Sequence, residues 1–181
     1  HLRIDHPPEH AHRHLGDIVG MIERGAMTDN ARRLAKAIFQ RIGQAEARVH
    51  GTSIEKIHFH EVGAIDSIAD IVGVAVAWDQ LKIERAVASS VPVGTGQVEI
   101  AHGLVGLPAP ATAELLKGIP IAACDISAEL TTPTGAALLA ELVDEFGPMP
   151  SMQVRQIGYG AGTHDLKQRP NILRILIGDQ V

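Results

Sequence analysis

Residues 68–81 restrict the fold of this chain more than any other stretch: nearly every position is apolar, and only Asp70, Asp79 and Gln80 interrupt the run. A helix this hydrophobic around its whole circumference exposes too much apolar surface in water, so it is expected at the centre of the fold. It does not suit a bilayer, because a span needs ~20 consecutive apolar residues and Asp66, Asp70 and Asp79 punctuate the longest candidate. A seam between copies of the chain, making a homo-oligomer, is a second way to cover it. Hydrophobic residues make up 45% of the sequence and aromatics only 3%, so the core is expected to consist of Ala, Val, Ile and Leu.

The 181 residues fit one domain of ordinary size. Acids outnumber bases 21 to 16, which argues against a general nucleic-acid-binding surface. The single cysteine, Cys124, excludes an internal disulfide and fits a reducing, cytoplasmic setting. Residues 1–14 are polar, contain Pro7-Pro8 and lack periodicity, so they read as a flexible lead-in. Residues 15–51 read as a helical pair. Leu15, Ile18, Val19 and Ile22 form one stripe, and Leu34, Ile38, Ile42, Ala45 and Val49 form a longer one that starts after Thr28 and stops near Gly51.

Residues 52–181 read as an α/β core. Strands are expected over 86–91, up to Ile100, and over 119–123. Helices are expected from Pro110 to Lys117 and from Thr132 to Phe146, and a final strand pair from Met152 onward is joined by a loop over 158–169. The expected fold class is mixed α/β (α+β), with helices layered on a mixed sheet and a helical pair at the N-terminus.

Just before the apolar run lies His58-Phe59-His60-Glu61-Val62-Gly63-Ala64-Ile65-Asp66-Ser67-Ile68-Ala69-Asp70. If residues 57–62 are extended, His58 and His60 project to one face and Ile57 and Phe59 to the other, with Glu61 facing away from the histidines unless the strand ends there. If the helix begins at Ser67, Asp66 and Asp70 fall four residues apart on one side. Two imidazoles and two or three carboxylates then converge where strand meets helix. Imidazole suits nickel, zinc, copper and iron, and carboxylate shifts a site toward magnesium or manganese, so the mixture names no single metal. Asp66 acting only as a helix cap explains its position equally well.

Other segments offer backbone or hydroxyl groups. Gly94-Thr95-Gly96 and Gly158-Tyr159-Gly160-Ala161-Gly162-Thr163 can present N–H groups to an anion, but they also read as tight turns. In Glu129-Leu130-Thr131-Thr132-Pro133-Thr134-Gly135, hydroxyls and free N–H groups meet at a helix start, which makes an anion cradle or simply a cap at Thr132. His102, between Ala101 and Gly103, sits where a ligand can approach closely.

Order and spacing across these segments, together with Asp70-Ile71-Val72-Gly73, Pro108-Ala109-Pro110-Ala111-Thr112, Glu114-Leu115-Leu116-Lys117-Gly118 and Asp144-Glu145-Phe146-Gly147-Pro148-Met149-Pro150, resemble the LarC family, the nickel-insertion proteins of nickel-pincer nucleotide cofactor biosynthesis. The resemblance runs from about residue 15 to residue 178. Family members are longer: they begin around an Asp-Cys-Phe-Ser-Gly pattern and end in a CTP-binding domain. The chain is therefore expected to be the central part of such a protein and inactive alone.

The resemblance implies a cyclometallase of the lyase class. Such an enzyme inserts Ni2+ into pyridinium-3,5-bisthiocarboxylic acid mononucleotide, forming two sulfur–nickel bonds and one carbon–nickel bond, with CTP and Mn2+ or Mg2+ engaged elsewhere in the full-length protein. At the matched positions, His58, His60, Asp66, Asp70 and His102 are the candidate metal ligands. His60, Glu61 or Asp70 is the candidate acceptor for the departing ring proton, and Glu129, Thr131, Thr132, Thr134 and Gly135 are the candidate nucleotide cradle. A binding module without activity of its own and a metal-dependent phosphate-ester hydrolase are the rival readings; membrane and nucleic acid are not expected partners.

Overall fold

The computed structural model describes residues 4–5, 13–59 and 62–181. Its organising element is the long helix α2 (Asp29–His50). Thr28 caps the start by accepting a hydrogen bond from the Ala31 N–H at 3.1 Å. Gly51 ends it in the left-handed region at φ 61°, where glycine carries no Cβ penalty. Ala31, Leu34, Ala35, Ile38, Phe39, Ile42 and Ala45 recur at helical spacing and are all buried. Val49, expected on the same stripe, is exposed, because it lies in the last turn beyond the packed elements.

Helix α1 (Leu15–Arg24) packs on α2 through Ile18 and Ile22. Helices α3 (Ile65–Leu81), α4 (Pro110–Leu115) and α5 (Pro133–Leu142) also pack against α2. The hub is thus α2 and not α3. Only Ile68, Ile71 and Ala75 of α3 are buried, and its exposed positions are the polar Asp66, Asp70 and Gln80, the small Gly73 and Ala77, and Leu81 at its end. Among the described residues, no helix is long and apolar enough to cross a membrane.

Polar ties fix the helices around the hub. The Thr28 hydroxyl and the Asn30 amide donate to Asp79 at 2.7 and 2.6 Å, joining the start of α2 to the end of α3. Arg48 pairs with Glu114 of α4 at 2.7 Å, and Arg41 pairs with Glu141 of α5.

The strands are short. β1 (Arg13–His14) pairs antiparallel with β2 (His58–Phe59). β3 (Val87–Ala88) and β4 (Val91–Pro92) pair parallel with β8 (Glu145–Phe146) and β7 (Ile121–Ala122), respectively. β5 (Gln97–Ile100) and β6 (Gly103–Gly106) form a hairpin. β9 (Met152–Ala161) and β10 (Ile172–Gln180) form a longer one, with a register shift between Ile177 and Gly178. The class is mixed α/β, with parallel and antiparallel pairing, but among the described residues the strands stay in five two-stranded ladders and do not join one sheet under the helices. Helices α4 and α5 end earlier than the sequence suggests, at Leu115 and Leu142, and β8 takes the residues expected at the end of α5. The segment expected as a loop over 158–169 is strand as far as Ala161, held by its register with Ile172 to Ile175.

The turn after β4 requires glycine. Gly94 has φ +81°, and a Cβ there would lie 1.8 Å from the Ala128 carbonyl oxygen. The close approach is locked by hydrogen bonds from the Thr95 N–H to Ile126 O at 2.8 Å and from the Leu130 N–H to Val93 O at 3.2 Å. Gly94→Ala is therefore expected to cost at least about 2 kcal/mol, from the strained φ and the backbone clash together. A urea midpoint equal to that of the unaltered chain would show that the 126–130 segment is not held this way.

Candidate functional site

Helix α3 starts without a side-chain N-cap at Ala64. Asp66 instead accepts the neighbouring Ser67 N–H at 2.7 Å, and its side chain is exposed. One turn on, Asp70 points to a cleft of about 400 Å3, a size suited to a small ligand. Val62, Ser67 and Asp70 form one wall, Val98, Glu99 and Ile100 of β5 a second, and Glu129 with residues 132–135 a third. The sequence presents the His/Asp segment and the Thr-rich cradle as separate candidates; the fold brings Asp70 of the first and most of the second to one cleft.

The cradle is built by the start of α5. The Thr132 hydroxyl accepts the Gly135 N–H at 3.2 Å, Pro133 at the first helical position has no N–H, and helix geometry gives the Thr134 N–H no acceptor within the helix. Capping and a ligand-facing helix start therefore coexist. Thr131 does not belong to the cleft wall. It is buried, and its hydroxyl donates to Pro92 O at 2.8 Å, fastening the cradle to β4.

The lining carries Asp70, Glu99 and Glu129 and, among the described residues, no Lys or Arg. Partial burial, with the nearby Asp66 charge adding to it, holds the Asp70 carboxyl above its ordinary value. The positive ends of α3 and α5 also border the space. The cleft therefore offers negative side chains to a cation and helix starts to an anion.

The remaining candidates lie apart from it. His58 is exposed on β2, opposite His14 of β1. His102, in the turn between β5 and β6, has its ring 4.8 Å from that of His50 and does not line the cleft. His60 and Glu61 lie outside the described residues. Among the described residues, no three His, Cys, Asp or Glu side chains cluster closely enough to hold a metal, so His58, Asp66, Asp70 and His102 do not form one ligand set. Glu99 escapes sequence reading because it alternates with Val98 and Ile100 like any strand residue. His14 escapes it because the residues before it have no periodicity.

A mixed α/β fold thus carries an acidic cleft framed by two helix starts. The chain belongs to the nickel insertion protein family, whose model matches residues 1–181. A relative from Rhodopirellula baltica is 56% identical over 179 residues, covering 98% of this chain and 45% of the relative. Two relatives bear the name pyridinium-3,5-bisthiocarboxylic acid mononucleotide nickel insertion protein. The one from Staphylococcus epidermidis is 52% identical over 97% of this chain and 44% of its own length. The one from Geobacillus kaustophilus is 47% identical over 97% of this chain and 43% of its own length. The chain spans less than half the length of these relatives. No solved structure matches it.

Proposed function

We propose that this chain provides the nucleotide-holding part of nickel insertion into pyridinium-3,5-bisthiocarboxylic acid mononucleotide, the reaction for which its relatives are named. The observation that carries this reading is the convergence of Asp70 with Glu129, Thr132, Thr134 and Gly135 on one cleft without a cationic side chain among its described residues. The substrate has both signs of charge. Its pyridinium ring matches the negative side chains of the lining, and its phosphate and thiocarboxylate groups match the helix starts and hydroxyls.

Ni2+ is cargo here. It gains bonds to two sulfurs and to ring carbon C4, and the C4 proton leaves to a base. Asp70 is that base, because a carboxylate with a raised pKa takes up a proton more readily. Dependence on CTP, with Mn2+ or Mg2+, belongs in this proposal to parts of the longer relatives outside the shared stretch, and a cytoplasmic setting belongs to the same reading.

Gly135 gives a direct test. A Cβ there would meet only Thr132 Oγ1 at 3.6 Å and Thr131 Cγ2 at 3.9 Å, ordinary contacts, so the fold accepts a side chain while the cleft loses space. Gly135→Leu is expected to weaken calorimetric binding of the bisthiocarboxylate nucleotide about tenfold or more, ~1.4 kcal/mol, with the melting temperature retained. Undiminished affinity in a folded variant would place the nucleotide elsewhere.

A further inference from the structure

We infer that His14 and His58 together form a two-imidazole docking site for a divalent transition-metal ion, outside the cleft. The antiparallel register of β1 and β2 sets the two residues directly opposite each other, and their ring centroids are 3.9 Å apart with planes inclined at 46°. The rings touch as they stand, and a turn of the exposed His58 side chain opens the pair so that one nitrogen of each ring can reach the ~2.0–2.1 Å of a shared ion.

His14 Nδ1 lies 3.0 Å from the Ile57 carbonyl oxygen, so in the tautomer that donates across this contact Nε2 keeps its lone pair for a metal. The backbone on both sides is anchored. The His14 N–H donates to Asp17 at 2.9 Å as α1 begins, and Ile57 and Phe59 are buried on either side of the exposed His58.

Two protein nitrogens with water completing the shell make an open site, unlike the four-ligand shell of a structural zinc. Such a site suits nickel that is later surrendered to sulfur donors. Its location supports delivery: Val62, four residues after His58, lines the cleft, and Arg13, beside His14, donates to Gly63 O at 2.6 Å. The role as a waypoint rests on the nickel-insertion reading; the metal site itself does not.

The test is calorimetric titration of Ni2+ alone into the tag-free chain, with histidine ring NMR. One site is expected, weakened at least tenfold in His58→Ala and in His14→Gln, and retained in His102→Ala and in the His6→Ala/His10→Ala/His12→Ala variant. Because His58 is exposed, the melting temperature of His58→Ala is expected to match that of the unaltered chain. Full nickel affinity in folded His58→Ala, loss only in the triple variant, or no binding by the unaltered chain would each overturn the site. Nucleotide affinity unchanged in Gly135→Leu, with nickel still bound at the histidines, would overturn the cleft reading and leave this site standing.

Discussion

Phe39→Ala is expected to cost on the order of 3–5 kcal/mol. Phe39 is fully buried on the hub helix and meets Phe59 edge to face at a centroid distance of 6.4 Å. Removing the ring discards its buried area, leaves a cavity, and breaks an aromatic pair worth about 0.5–1.5 kcal/mol beyond area alone. Repacking offers little relief, because the surrounding core is already packed and interiors are close-packed. The effect spreads toward the site, since Phe59 is the buried member of β2 and sits next to His58. Urea unfolding measures it against Val49→Ala on the same helix, an exposed position expected to change stability by no more than about 0.5 kcal/mol. Similar midpoints for the two variants would mean that α2 is not the hub.

The placement of that hub shows where sequence reading works and where it stops. The α2 stripe is legible because large aliphatic residues recur every three or four positions against a charged opposite face. Residues 68–81 mislead because a stretch this apolar reads as buried all round, whereas its outer side mixes Asp70 and Gln80 with Gly73 and Ala77. The two-residue parallel ladders are illegible for another reason: Val87 pairs with Glu145, and Val91 with Ile121, so the partners that define these strands lie far along the chain. At the site, Asp70 and the Thr132 to Gly135 segment can each be recognised alone, from helix-side spacing and capping chemistry. Their convergence depends on how α3 and α5 settle around α2, which no local pattern encodes. Thr131 looks equivalent to Thr132 in sequence, and only the position of Pro92 decides that its hydroxyl is structural.

Asp70→Asn is expected to separate binding from chemistry. The amide keeps the size of the side chain but cannot accept a proton, so under the proposed reading nickel insertion should fall by about 10²–10⁴-fold, the range for loss of a general base, while nucleotide affinity changes only a few-fold. The pH dependence gives an independent check. Burial first, and the Asp66 charge second, raise the Asp70 pKa in the folded chain, so across the window between its ordinary and raised values the folded state holds more protons than the unfolded state. Stability from this group is therefore lost as pH rises through that window. Asp70→Asn lacks the loss and should gain stability relative to the unaltered chain up to the raised pKa and hold a constant advantage above it. Insertion runs the other way, because the base works only when deprotonated, so activity should rise with pH over the same window and this acid limb should vanish in the variant. Stability and activity thus respond in opposite senses to one titration, a pattern that a purely structural Asp70 cannot produce. If Asp70→Asn inserts nickel at the unaltered rate with the acid limb intact, the ring proton leaves to another group.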